Sequence, residues 1–197
     1  LITTGKISQK HLLFEEQHLE RLRKASRYFA FLFDAEDLRQ KIEEECHACD
    51  ANQDYRLRIS LSKSGEIELS RQILTPLSPH FCQAKLCLQE ANLQQAFTYF
   101  KTTHRPHLSL GKQEKIYHNA RGELLETTIG NLVLKIDGKL YTPSIRLGIL
   151  PGIYRQHLLE TGQVEEKVLT LADLAQAEAI YGCNAVRGLY ALSLEEN

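Results

Sequence analysis

Lys101 closes an aromatic run, Phe97-Thr98-Tyr99-Phe100, and is followed by Thr102-Thr103-His104-Arg105. An amine set among apolar groups loses part of its preference for charge and can form a Schiff base with a carbonyl. The plain alternative is a solvated lysine at a helix C-terminus. Glu126 lies in Gly122-Glu123-Leu124-Leu125-Glu126-Thr127-Thr128-Ile129-Gly130-Asn131, on an expected strand with apolar neighbours. A carboxylate placed there needs a partner, and a protonated ring nitrogen would be one; a surface strand glutamate is the other reading. Leu147-Gly148-Ile149-Leu150-Pro151-Gly152-Ile153-Tyr154-Arg155 sets two glycines and a proline at the start of an amphipathic helix. Helix N-termini offer unpaired N–H groups and a positive dipole end, which suit a phosphate, although Pro-Gly is also ordinary capping. Arg21, in His18-Leu19-Glu20-Arg21-Leu22, is by default a surface residue. Cys46-His47-Ala48-Cys49 has C-x-x-C spacing, but no second pair completes a zinc site and it ends a helical pattern. Neither a metal nor a redox role is expected of it.

The elements that must position these groups follow from periodicity. Residues 1–8 alternate loosely as a strand, with Thr3 and Thr4 on opposite faces. Apolar residues then recur every three to five positions over 14–31, and Asp34 caps a second helix to about residue 47. Residues 56–61 and 67–73 alternate on either side of Lys63-Ser64-Gly65, predicting a hairpin that carries Arg56 and Arg58. Thr75-Pro76-Leu77-Ser78-Pro79-His80 admits neither a helix nor a central strand, and serves as the expected linker. Beyond it, strands are expected over 82–88 and 116–118, a short helix over 93–100, and a meander over 119–142 turning at Asp137-Gly138. A helix is expected from Pro151, a strand over 164–169, a helix capped by Thr170 with Asp173 at N3, and strands over 180–183 and 188–194. The arrangement is α+β, with a small N-terminal domain at 1–75, a linker at 76–81 and a larger domain at 82–197.

Composition narrows the function classes. The 197 residues are 43% hydrophobic and 25% charged, enough for a packed core without staples. Lys+Arg 24 against Asp+Glu 25 leaves a net charge of −1, so neither nucleic acid nor an anionic membrane is an expected partner. An odd count of five cysteines, with no leader-like N-terminus, reads as reduced thiols of a cytoplasmic protein. Met is absent, so the translated protein is expected to begin before Leu1.

Taken in order, Lys101, Glu126 with Gly130-Asn131, Leu150-Pro151-Gly152 and Gly182-Cys183-Asn184-Ala185 resemble the class IV aminotransferase family. These are the fold-type IV pyridoxal 5′-phosphate enzymes. The likeness runs from Thr3-Thr4 to Arg187-Gly188. It is nearest to the 4-amino-4-deoxychorismate lyase branch through Phe100-Lys101-Thr102-Thr103, Leu169-Thr170-Leu171-Ala172-Asp173-Leu174 and Asn184-Ala185-Val186-Arg187-Gly188.

The resemblance implies a two-domain fold, a pyridoxal phosphate cofactor, a homodimer and a small amino-acid-like substrate. It makes Lys101 the Schiff-base lysine, Glu126 the carboxylate at the pyridine nitrogen and Arg21 a phosphate ligand. Ile153 and Tyr154 would meet the phosphate through backbone N–H groups, with Asn184 and Ala185 forming a second phosphate loop. Thr4 matches a proton-transfer threonine of the lyases, and Arg105 a cofactor-side arginine common in them. No metal is implied. Arg56 and Arg58 are candidates for substrate carboxylates. The implied reaction releases pyruvate and forms 4-aminobenzoate; the alternatives are an aminotransferase for D- or branched-chain amino acids, and a non-catalytic relative. Two departures stand out. Pro106 occupies the place of the aminotransferases' tyrosine, and Lys6 replaces an arginine, exchanging a bidentate fork for a point charge.

Overall fold

The computed structural model describes residues 1–89, 96–105, 107–108, 111 and 113–195. Two compact units emerge. The first comprises Leu1–Pro76 with Phe100–His104, and the second Leu77–Tyr99 with Arg105–Asn197.

The first unit holds β1 (Ile2–Ser8), β2 (His11–Leu12), α1 (Glu15–Phe29), α2 (Ala35–His47), β3 (Tyr55–Leu61) and β4 (Ile67–Ile73). The strands form an antiparallel sheet in the order β2-β1-β3-β4. Leu19, Leu22 and Ala25 of α1 and Leu38, Ile42 and Cys46 of α2 are buried at helical spacing, and they cluster with Ile7, Leu57 and Ile59. Each of these leucine and isoleucine side chains contributes about 1.5–3 kcal/mol when fully buried. Asp34 caps α2, accepting the Glu36 and Asp37 N–H groups at 2.9 and 3.2 Å. The β3–β4 register, Tyr55↔Ile73 through Leu61↔Ile67, matches the expected hairpin.

The second unit holds α3 (Pro79–Cys82), β5 (Gln83–Leu88), α4 (Ala96–Tyr99), β6 (Lys115–His118), β7 (Leu124–Thr127), β8 (Asn131–Ile136) and β9 (Lys139–Pro143), then α5 (Ile153–Glu160), β10 (Glu165–Lys167), α6 (Leu171–Gln176), β11 (Ala179–Asn184) and β12 (Gly188–Leu194). Its sheet runs β10-β9-β8-β11-β12-β5-β6-β7, and a β7–β8 pairing at Glu126↔Asn131 closes it on itself. Closure buries β8 on both faces. Leu132 and Leu134 join Leu174 of α6, while Val133 joins Leu158 of α5 and Cys183. The Thr170–Asp173 capping box forms as the sequence suggests.

Three local expectations need correcting. The linker is not wholly irregular: Ser78 accepts the Phe81 N–H at 3.1 Å and Pro79 starts a helical turn, because a serine followed by proline is itself a cap. The helix expected from Pro151 begins two residues later, with Gly152 as an extended N-cap (φ −67, ψ 139). The strand expected over 164–169 contracts to the three residues of β10, which pair in parallel with β9. Pro106 and residues 93–95 of the expected short helix lie outside the described residues. Among the described residues, no helix is long and apolar enough to cross a membrane.

Candidate functional site

In the first unit, β1 and β3 pair as Thr3↔Ile59, Thr4↔Arg58, Gly5↔Leu57 and Lys6↔Arg56. Directly opposed residues share a face. Thr4, Lys6, Arg56 and Arg58 therefore project together, away from the face of Thr3, Leu57 and Ile59. Thr4 is 7% exposed. Lys6 Nζ is bound to Asp54 at 2.7 Å and holds that carboxyl below its usual range. Lys101 is half-buried, and its carbonyl accepts the Ile2 N–H at 3.0 Å, tying its segment to β1. The preceding Phe100 ring lies 4.7 Å from Tyr28 and 5.4 Å from Phe29.

Arg21 is half-buried on α1, one turn beyond His18. The His18 ring is fully buried, and its Nδ1 lies 2.6 Å from Thr3 Oγ1. Burial, then the positive charges of Arg21 and Lys101, pull His18 down to about 3, so it is neutral. Its Nε2 fits only because residue 5 is glycine, since a Cβ there would stand 2.6 Å away. His18 appears in the sequence only as a neighbour of Arg21, and nothing local marks it as buried.

In the second unit, Glu126 is 2% exposed on β7. Arg105 Nη2 lies 3.7 Å from one carboxylate oxygen and His107 Nε2 4.0 Å from the other. Burial lowers the Arg105 pKa, an effect opposed by the Glu126 charge. Thus Glu126 and Arg105 come together as a buried pair, with His107 an addition that no sequence pattern announces.

The turn leaving Glu126 is a hub. Thr127 Oγ1 bonds both the N–H and the carbonyl of Gly130 at 3.1 Å. Asn131 Nδ2 donates to the Leu150 carbonyl at 2.8 Å, just ahead of α5. Asn184 Nδ2 donates to the Ile129 carbonyl at 3.2 Å, while its Oδ1 accepts the Val186 and Arg187 N–H groups at 3.0 and 2.9 Å. Ile153 and Tyr154 are the first two residues of α5, and no side chain caps that helix. The positive end of the α5 dipole and the Asn184–Ala185 turn are therefore both bonded to the turn that carries Glu126. Gly152 has a reason beyond close approach of an anion: a Cβ there would overlap Asn131 Oδ1.

At the end of α2, burial and the neighbouring Cys49 raise the Cys46 thiol to about 11, which makes it a poor nucleophile.

The sequence model of a family described as amino-transferase class IV matches residues 1–193. The chain belongs to this family. An aminodeoxychorismate lyase from Vibrio harveyi is 32% identical over 80 residues, covering 38% of the chain and 30% of that relative. The chain thus aligns with less than a third of that lyase's length. Among solved structures, a protein from Mesorhizobium loti provisionally named an amino-acid aminotransferase shares 28% identity at a TM-score of 0.85, covering 99% of both chains. A hypothetical aminotransferase from Mycobacterium tuberculosis in its PLP-bound form shares the fold at a TM-score of 0.80 and 17% identity, covering 99% of the chain and 81% of its own. These neighbours share the chain's fold, in agreement with the α+β reading.

Proposed function

We propose that this class IV family member is a pyridoxal-phosphate enzyme of the 4-amino-4-deoxychorismate lyase kind, releasing pyruvate and forming 4-aminobenzoate. The observation that carries the reading is Glu126, a buried carboxylate faced by Arg105 and His107, on a strand whose outgoing turn is bonded to the α5 start and to the Asn184 turn. The donor set fits the cofactor: an acid for a ring nitrogen, and an uncapped helix start with a second backbone turn for a phosphate. The PLP-bound relative of the same fold supports the choice. When bound, the cofactor supplies an electron sink for charge developing at the substrate Cα.

This chain's residues do the rest. Lys101 Nζ would hold the cofactor's aldehyde carbon, and its amine would take the proton from the substrate Cα. Glu126 stabilises a proton on the ring nitrogen. Arg21, the Ile153 and Tyr154 N–H groups and the Asn184–Ala185 turn hold the phosphate. Arg105 places its guanidinium 3.7 Å from the buried Glu126 carboxylate. Thr4 carries a proton on the substrate side, and Arg58, directly opposite it on the same sheet face, receives a substrate carboxylate, with Arg56 beside it. Overall, 4-amino-4-deoxychorismate divides into 4-aminobenzoate and pyruvate with no other reactant.

Purified protein incubated with pyridoxal phosphate is expected to gain a visible absorption band and, after borohydride, a covalent adduct on Lys101. It is expected to release pyruvate from 4-amino-4-deoxychorismate, and Lys101→Ala should lose band, adduct and activity. Failure of wild type to form the adduct would refute the reading. The second reading, an aminotransferase, is favoured by the full-length likeness to the Mesorhizobium loti protein. Fast amino transfer to a 2-oxo acid without pyruvate release would establish it. The proposal includes a cytoplasmic homodimer, checked by light scattering at twice the chain mass.

A further inference from the structure

Glu114 lies just ahead of β6 and is fully buried. Among the described residues, no cation forms a salt bridge with it. A carboxylate in such a place is costly unless hydrogen bonds replace its water. Here one oxygen accepts the Thr128 N–H at 2.7 Å and the Lys115 N–H at 3.3 Å. The other accepts the Tyr190 hydroxyl at 3.1 Å. Burial raises the Glu114 pKa, and these donors with the Thr128 hydroxyl pull it back.

Each donor sits on a different part of the hub. Thr128 is in the turn that leaves Glu126. Lys115 opens β6, and its N–H also reaches Thr128 Oγ1 at 3.1 Å. Tyr190 is on β12, its ring packed so closely over Gly182 of β11 that a Cβ at 182 would overlap it. Two residues further along, β11 ends at Asn184, whose side chain returns to Ile129. An apolar pair of similar volume would fill this space without the desolvation cost. What the carboxylate adds is direction: it holds the Thr128 N–H and the Tyr190 hydroxyl at set angles, and so sets the turn between them.

We infer that Glu114 and Tyr190 form a buried strut that fixes the spacing between the Glu126 carboxylate and the anion-binding ends at α5 and Asn184. They are positioning residues. The inference rests on the pyridoxal-phosphate reading above. A strut of this kind matters only to a ligand that uses both ends at once. Pyridoxal phosphate has a ring nitrogen and a phosphate, whereas pyridoxal and inorganic phosphate each lack one end.

The test measures dissociation constants for pyridoxal phosphate, pyridoxal and inorganic phosphate in wild type, Glu114→Leu, Glu114→Gln and Tyr190→Phe. Hydrogen exchange of the 128–130 amides is followed in the same proteins without ligand. Tyr190→Phe, which removes one hydrogen bond of ordinary strength to Glu114, is expected to weaken pyridoxal phosphate binding about tenfold, and Glu114→Leu, which removes three, at least as much. Pyridoxal and phosphate should bind as in wild type, and exchange at 128–130 should quicken. Glu114→Gln keeps an acceptor for the Thr128 N–H and should recover most of the affinity. If Glu114→Leu does not fold, Tyr190→Phe, which removes a single hydroxyl, decides the matter. Equal weakening for all three ligands, or unchanged pyridoxal phosphate affinity, overturns the strut. Wild type that takes up no pyridoxal phosphate is a different result, and it overturns the functional reading and the strut together.

Discussion

Gly152→Ala tests how α5 is anchored. The residue has φ −67, a value any amino acid adopts, so the backbone poses no obstacle. By itself a glycine-to-alanine change at a compatible φ stabilises by about 0.4–1 kcal/mol through the unfolded chain. Against this, the new Cβ overlaps Asn131 Oδ1, and Asn131 is 2% exposed with its Nδ2 bound to the Leu150 carbonyl at 2.8 Å. Displacing that side chain leaves a buried amide and carbonyl without each other, which costs about 1–3 kcal/mol, and the forced repacking adds about 1 kcal/mol. The losses exceed the gain, and a net destabilisation of about 2 kcal/mol is expected, or a Tm lower by about 4–8 °C for a chain of this size. The assay is a double-mutant cycle by urea denaturation. With Asn131→Ala already present the obstruction is gone, and Gly152→Ala should become neutral or mildly stabilising, a coupling of about 2 kcal/mol. An equal cost for Gly152→Ala in both backgrounds would refute the overlap as its cause.

His18 and Arg105 each give a further expectation. The folded His18 pKa of about 3 lies below the ordinary 6.5, so between these values the unfolded chain binds a proton that the native state refuses. Its contribution is complete above pH 6.5 and declines by up to about 1.4 kcal/mol per pH unit on acidification. Between pH 7 and 5, wild type should lose about 2 kcal/mol more stability than His18→Gln in urea melts, and parallel losses would sink the assignment. Arg105→Met removes the guanidinium that faces the buried Glu126 carboxylate, at an expected cost of about 3 kcal/mol, most of it recovered by adding Glu126→Gln. A single variant as stable as wild type would mean that the pair contributes nothing.

Most elements are legible in the sequence because short-range contacts decide them. The Asp34 cap, the Thr170–Asp173 box, the Asp137-Gly138 turn and the β3–β4 alternation each depend on residues a few positions apart. The start of α5 at Ile153 is not legible locally, for the opposite reason. The Leu150 carbonyl is held by Asn131, nineteen positions away, and a local reading of Pro151-Gly152 contains no trace of that bond. The linker fails differently: two prolines argue against regular structure, yet the serine ahead of the second is enough to cap a turn.

By itself, the sequence determined the periodic elements, the near-neutral charge and the ordered motifs around Lys101, Glu126, Gly152 and Asn184 that mark the family. The tertiary structure alone decided which groups meet. It grouped Phe100–His104 with the first unit, set Arg105 and His107 against Glu126, and brought Tyr190 to Glu114 across seventy-six positions. The reason is physical. A cap or an alternation is settled by neighbours along the chain, whereas a buried charge is settled by whichever donors the closing sheet brings to it, and that closure depends on every strand in the ring.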